Sequence, residues 1–454
     1  MLQEETRPWE QLADLVRQGD AGAISRFIAD LPSGERPRVL SRLGEDDRTT
    51  VMRGLGAAEA AGLVEVMSDV QAAGIIELLE PRQAVEILSE LPSNEQADLL
   101  SEIDAVGAEA ILAAMEPEKA DEARQLADYS NHVAGGLMAT EFLAYREDVT
   151  CGEIAEDLRR KTGEYSDYQL QYVYVVSAKQ RLVGVLRLRD LLFTPDHQVA
   201  SKIMIREPLR VRDDTSLEEL GDLFARHSFL GIPVVSRKGR LLGVIHRGAV
   251  ERALGHKAQV DHLKSRGIVG GEEFRSMSLR FRSLKRLSWL SINIILNLIA
   301  ASVIALYQET LSAVIALAVF LPIISDMSGC AGTQAVAVSM RELALGLVKT
   351  HEVFYVWARE ISVGMINGLI LGLLIAGVAW LWSGNPYFGL VVGGGLAANN
   401  VVGVSVGGTI PMILKRGGFD PALASGPILT TVTDMCGFFF VLSLADALLP
   451  KLAG

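Results

Sequence analysis

Cysteine is scarce, with three residues among 454, at positions 151, 330 and 436. So few and so scattered thiols exclude a disulfide framework and fit a reducing compartment for the soluble part of the chain. Basic residues are thin at the start: up to Ser130, 27 acids face 11 bases, most of them Arg. A surface this negative repels a phosphate backbone, which argues against nucleic acid as a partner. Long apolar runs are missing from the first 286 residues. The opening MLQEETRPWE is acidic, and no cleavable signal peptide is expected. Also missing are a glycine-rich phosphate loop, zinc-ligand spacing and a nucleophile elbow, so an enzyme is not expected.

What is present is divided. Mean hydropathy is +0.27, high for a soluble protein, yet 22% of residues are charged. The two characters are segregated: residues 1–286 read as soluble, and 287–450 are mostly apolar. Net charge is −12, and the first 130 residues are more acidic than the whole chain. That block is either a plainly solvated helical surface or one that neutralises itself with divalent cations.

Residues 9–128 read as all-helical. A unit recurs as LPSGERPRVLSRL, LEPRQAVEILSEL, LPSNEQADLLSEI and MEPEKADEARQLA. Each has Pro near the start, where a helix needs no N–H. Ser93 and Gln96 have capping-box spacing. Repeated short helices predict a stacked superhelix. From Gly136 the pattern changes. YVYVV (172–176), RLVGVL (181–186), GIPVV (231–235) and RLLGVI (240–245) read as strands, alternating with the helical CGEIAEDLRRK and SLEELGDLFARH. These are two copies of one α/β unit. A polar segment broken by GIVGG follows and ends in RFRSLKR.

Five apolar spans are expected, at 287–306, 311–340, 354–382, 388–414 and 421–449. The bases before span one, Arg341 and Lys349 after span two, and Lys415 and Arg416 after span four fall on one side. By the positive-inside rule that side is the cytoplasm, which puts the N-terminus inside and the C-terminus outside a cell (inner or plasma) membrane. The expected fold class is multidomain: an all-α superhelical repeat domain (1–130), α/β paired domains (131–250), a connecting helix (251–286) and an α-helical five-span domain (287–454). The partner expected for the five-span domain is the bilayer.

Asp434 lies near the middle of span five, where an ionised carboxylate costs at least ~2.5–3.5 kcal/mol. Span two carries Asp326 in LPIISDMSGCAGTQAVAVSMREL. Pro322 and the small residues at 328–332 are expected to open that helix and free carbonyls around a polar cavity. Acids, carbonyls and hydroxyls together suggest a cation pathway. The competing reading of Asp434 is a protonated, helix-bonding residue.

The domain order, the segment YSNHVAGGLMATEF (129–142) and GFDPALASGPILTTVTDMCG (418–437) together resemble the MgtE family of magnesium channels and transporters, with its paired cystathionine-β-synthase (CBS) units. The resemblance covers nearly the whole chain. It implies a homodimer with its pore on the two-fold axis, two Asp434 carboxylates across that pore, and Mg²⁺ as the transported and regulatory ion. Asp326, Gly329, Cys330, Gly426 and Thr430 are the further pore candidates, and Asp420 and Glu219 are further metal-ligand candidates beside Asp434. In the first CBS unit, RLRD makes Asp190 and Arg189 candidate nucleotide contacts, with ATP the candidate cofactor.

Several residues depart from the family pattern. Cys330 and Thr333 stand for asparagines in SGCAGTQ, Gly426 for another, and Gly248 and Ala249 for an Asp pair. His246 and Ala249 also lose the second adenosine-binding pattern. Thiols are soft ligands, so a Co²⁺, Zn²⁺ or Ni²⁺ permease of the same architecture is one alternative; cysteines as small packing residues are the blander account. An ion-coupled secondary transporter and a CBS-gated sensor without permeation are the others.

Overall fold

A computed structural model describes residues 7–452 apart from 33, 164, 166–170, 272, 276 and 278. Residues 1–6, part of the acidic start on which the expectation of no leader rests, lie outside it. The chain divides into two compact units, Met1–His256 and Lys257–Gly454.

The first unit opens with ten helices between Pro8 and Ala127, among the described residues. None exceeds 11 residues, too short to be stable alone in water. Pro81 and Pro117 start the helices Pro81–Leu88 and Pro117–Ala127. Leu40, Met52, Ile76, Ile87 and Leu88 are almost fully buried, each contributing about 1.5–3 kcal/mol. Burial between neighbours is therefore what holds these helices.

The capping box expected at Ser93 does not form. Pro92 takes the cap position of the helix Ser93–Glu102 and supplies no side-chain bond. Ser93 Oγ instead donates to Glu141 (2.9 Å), whose carboxylate also accepts the Ser93 N–H at 3.0 Å. The Thr140 N–H bonds the same hydroxyl at 2.9 Å. A charged acceptor 48 residues along the chain outcompetes the local cap, because bonds to ionised groups are the stronger ones.

The rest of this unit is two copies of one α/β fold. β1 (Leu143–Arg146), β2 (Tyr172–Val176), β3 (Leu182–Arg187) and β4 (Ile205–Arg206) form one sheet in that order. β1 and β2 are parallel; β2 and β3 are antiparallel, with Tyr172 opposite Arg187. β5 (Val211–Arg212), β6 (Gly231–Val235) and β7 (Leu241–His246) form the second. The copies share a hairpin. Ser177 Oγ accepts the Arg181 N–H at 3.3 Å, and Ser236 Oγ accepts the Arg240 N–H at 3.2 Å. Left-handed backbone falls on Gln180 (φ 58°) in one and Gly239 (φ 78°) in the other. Only the glycine adopts it without steric cost. The connecting helix, Arg247–Ser265, follows β7.

Among the described residues of the second unit, five helices are long and apolar enough to cross a membrane: Leu279–Leu306, Ile315–Ala344, Val353–Ser383, Pro386–Arg416 and Pro421–Ala447. The first starts earlier than hydropathy alone indicates, since RFRSLKR is already helical. Glu273 receives Arg282 at 3.1 Å and Arg286 at 2.5 Å across its side chain. Span two is not opened. After a 3₁₀ turn at Ile315–Val319, the helix Leu321–Ala344 runs unbroken, with Pro322 in its first turn. A proline there removes no helical hydrogen bond. The small residues serve close approach instead: a Cβ on Gly403 of span four would stand 2.6 Å from the Ser328 carbonyl oxygen, and one on Gly368 of span three 2.7 Å from that of Ala397. Span four, dense in Gly and Ala, packs against spans two, three and five, as small residues permit between membrane helices.

Candidate functional site

Span five starts at Pro421, with Asp420 as its cap, accepting the Ala422 N–H at 2.9 Å. Gly426, Thr430 and Asp434 follow at intervals of four, so they share one helix face. Thr430 is exposed and donates to the Gly426 carbonyl at 3.1 Å. A Cβ on Gly426 would meet no atom within 4 Å. Asp434 is half-buried and accepts a short hydrogen bond from Ser325 Oγ of span two. Asp326 and Cys330, one turn apart on span two, are both exposed. Gly329 lies against span five, where an added Cβ would be 3.7 Å from Thr433 Oγ1. Spans two and five thus carry a polar face that the chain itself leaves uncovered. In hydrocarbon such a face is costly, and intramembrane polar residues turn toward water or a protein partner.

The other candidates are on different elements. Asp420 already accepts Lys264 Nζ, from the end of the connecting helix, at 2.9 Å. Glu219 is exposed in the first turn of the helix Leu217–Arg226, in the first unit. Among the described residues, no group of three or more His, Cys, Asp or Glu side chains is placed to hold a metal ion.

Two residues that sequence reasoning passed over matter here, Ser325 and Asn399. The signal for Asn399 was available, since adjacent asparagines in an apolar span are intramembrane polar groups. For Ser325 there was none, because its partner lies 109 residues away.

The CBS pair holds a cavity of about 460 Å³, lined among others by Tyr172, Arg187, Arg226, His227 and Phe229. Tyr174 also faces it, 2% exposed, and its hydroxyl has no partner among the described residues. Arg189 and Asp190 are not in that lining; they lie 3.4 Å from each other just after β3.

The third site is an acidic face in the first unit. Arg252 of the connecting helix reaches Glu95 at 2.9 Å. Burial pushes the Glu95 and Asp69 carboxyls up, while Arg252 beside Glu95 and His256 beside Asp69 pull them down. Asp98 is pushed up to about 8 by burial, then by Asp69, Glu95 and Glu102. A Cβ on Gly248 would be 4.0 Å from Arg252 Nη1. The half-buried His246 is held below the usual imidazole range by burial, then by Arg252.

Three family models match the chain: MgtE, described as a divalent cation transporter, over 321–444; the MgtE intracellular N domain over 10–132; and the CBS domain over 199–256. The magnesium transporter MgtE of Thermus thermophilus is 34% identical over 336 residues, 74% of each chain. The chain belongs to the MgtE family. A second MgtE relative, from Enterococcus faecalis, is 31% identical over 72% of each chain. The solved cytosolic domain of the Mg²⁺ channel MgtE in complex with ATP matches with a TM-score of 0.50 and 31% identity, covering 54% of this chain and 99% of that one. Like its relatives, this MgtE-family chain combines N-terminal helices, CBS domains and membrane helices; it is an integral membrane protein.

Proposed function

We propose that this protein conducts divalent cations, with Mg²⁺ as its cargo, through a pore between two copies of the chain. The supporting observation is the uncovered polar face of spans two and five. A second copy related by a two-fold axis would cover that face and set two Asp434 carboxylates across a water-filled path. Mg²⁺ dehydrates reluctantly and keeps several waters. A carboxylate pair attracts the hydrated ion, and the retained water lets it leave. The test is uptake into proteoliposomes. Asp434→Ala abolishes Mg²⁺ flux while the protein stays folded and dimeric; wild-type flux in a folded Asp434→Ala protein would overturn the proposal.

A second reading, transport of Co²⁺, Zn²⁺ or Ni²⁺, is favoured by one observation: the thiol of Cys330 is exposed on span two, one turn from Asp326. Cys330→Asn lowers transition-metal flux relative to Mg²⁺ if the thiol is a ligand. It leaves the ratio unchanged if the thiol only packs.

Gating follows from the connecting helix, with the N-terminal and CBS domains on the cytoplasmic side. The family resemblance implies closure by Mg²⁺ shared among acidic faces. Here Arg252 already answers Glu95, and Lys264 already answers Asp420. Two basic side chains of one helix thus neutralise carboxylates that a cation could otherwise answer. Closure is therefore less dependent on Mg²⁺ than it would be with acidic side chains at these positions. ATP is the proposed occupant of the CBS cavity: Tyr172 and Phe229 offer aromatic faces for a base, and Arg187 and Arg226 offer charge for phosphates.

A further inference from the structure

Span four places two adjacent asparagines, Asn399 and Asn400, both with no exposed surface. Their side chains leave in different directions. Asn400 Nδ2 donates to the Gly364 carbonyl of span three at 3.0 Å. Asn399 Nδ2 donates to the Thr433 carbonyl of span five at 2.9 Å and reaches the Ile324 carbonyl of span two at 3.5 Å. Those two acceptors immediately precede Asp434 and Ser325, which are hydrogen-bonded to each other. One amide thus holds both backbones at the level where the hydroxyl meets the carboxylate.

The surroundings are shaped for this amide. A Cβ on Gly437 would stand 2.7 Å from Asn399 Nδ2, so any larger residue there would push the amide from this place. The amide uses spare lone pairs of helical carbonyls, which accept a second bond without breaking the helix. Asn399 Oδ1 has no partner among the described residues, although it is buried. An unpaired buried acceptor costs free energy, and a leucine of similar size would avoid that cost. The asparagine is therefore not explained by packing alone.

We propose that Asn399 is a positioning residue for cation recognition, locking spans two and five in the register that presents Asp434 with Ser325 as its partner. The inference rests on Asp434 being the carboxylate that meets the cation. It assigns Asn399 no contact with the ion.

The test uses full-length protein in proteoliposomes, with Mg²⁺ and Ca²⁺ as probes. Asn399→Asp keeps the shape but replaces two amide N–H donors with a carboxyl that offers at most one, so it cannot serve both carbonyls; Asn399→Leu removes the polar group altogether. Both raise the Mg²⁺ concentration for half-maximal flux by about tenfold, the size expected when a bond to a charged group is misplaced, and both lower the Mg²⁺-to-Ca²⁺ flux ratio. Asn400→Leu is the matched control, because it deletes an equally buried bond that touches neither span two nor span five. It lowers thermal stability and leaves both flux readouts in place. Ser325→Ala gives the same flux shift as Asn399→Asp, and the double variant adds nothing, since both act through Asp434. Equal shifts in the Asn399 and Asn400 variants, or none in a folded Asn399→Asp protein, would overturn the proposal. Should Asn399→Leu fail to fold, the Asn399→Asp and Ser325→Ala pair decides alone. Asp434→Ala, run in parallel, separates the two levels: wild-type flux there sinks the reading of Asp434 itself, whereas a dead Asp434→Ala beside unaltered Asn399 variants sinks only the positioning role.

Discussion

The guanidinium of Arg252 donates to the Glu95 carboxylate across 2.9 Å, tying the connecting helix to the N-terminal helix Ser93–Glu102. Glu95 is the less exposed partner, at 20% of its side chain against 66% for Arg252. Losing the arginine therefore leaves a half-buried carboxylate beside Asp69 and Asp98 with less positive charge nearby.

Arg252→Gln should lower hydrogen-exchange protection of the helix Ser93–Glu102 in chelator, by about 1 kcal/mol for a pair with one exposed partner. Millimolar Mg²⁺ should restore it in the variant and change the wild type little. A wild-type protein whose protection rises as steeply with Mg²⁺ as the variant's would contradict the idea of a built-in cation.

Asp98 makes the stability of the N-terminal helices depend on pH. Its carboxyl is pushed from 3.8 up to about 8, first by burial and then by Asp69, Glu95 and Glu102. Between those values the folded state holds a proton that the unfolded chain has released. Stability from this group is therefore complete below 3.8, falls as pH rises, and levels off above about 8. The slope is at most about 1.4 kcal/mol per pH unit. Asp98→Asn should flatten it and raise the urea midpoint at pH 8, read by exchange in the same helix. An unchanged midpoint would place Asp98 in a more polar setting than this.

How far the sequence could be read depends on the range of the interaction. Strands 172–176 and 231–235 were legible to the residue, because β-branched runs bounded by turns carry a local signal. The five apolar helices were legible because hydropathy is summed over a whole span. Ser93 misled because its capping spacing is local and its true partner, Glu141, is not. Pro322 misled in the same way: whether a proline opens a helix depends on where the helix starts, and the 3₁₀ turn before it sets that. The bonds from Ser325 to Asp434 and from Asn399 to Thr433 join residues 109 and 34 apart. No periodicity reports such pairs; only the packing of spans two, four and five brings them together.

The CBS cavity should bind ATP through Arg187 and Phe229, both in its lining. Phe229→Ala should weaken binding by about 1–3 kcal/mol, the range seen when an aromatic stacking partner is removed. Arg187→Ala should weaken ATP more than adenosine, because it removes phosphate contacts only. Asp190→Ala is the informative comparison: Asp190 pairs with Arg189 outside the lining, so a small effect is expected. Titration calorimetry on the full-length protein measures all three, and equal affinity of Phe229→Ala and wild type would move the nucleotide elsewhere.

Lys264 and Asp420 give the last prediction, because they join the connecting helix to the cap of the span that carries Asp434. The ammonium lies 2.9 Å from the carboxylate, and both side chains are partly covered, at 26% and 38% exposure. Asp420 has a second task, accepting the Ala422 N–H at the start of span five. Lys264→Gln removes the positive charge and leaves that cap intact. The closed state should then lose its cation-independent hold, so open probability rises in chelator. A freed carboxylate can recruit Mg²⁺ in place of the ammonium, so millimolar Mg²⁺ should close this variant again. Asp420→Asn removes the charge that either cation would answer, so it should open in chelator and stay open in Mg²⁺. A ligand shifts a two-state balance only by binding one state better than the other, and Asp420→Asn has lost that difference at this site. Single-channel recordings across Mg²⁺ concentrations separate the cases. If both variants close along the wild-type curve, the Lys264–Asp420 pair holds the helices together without taking part in gating.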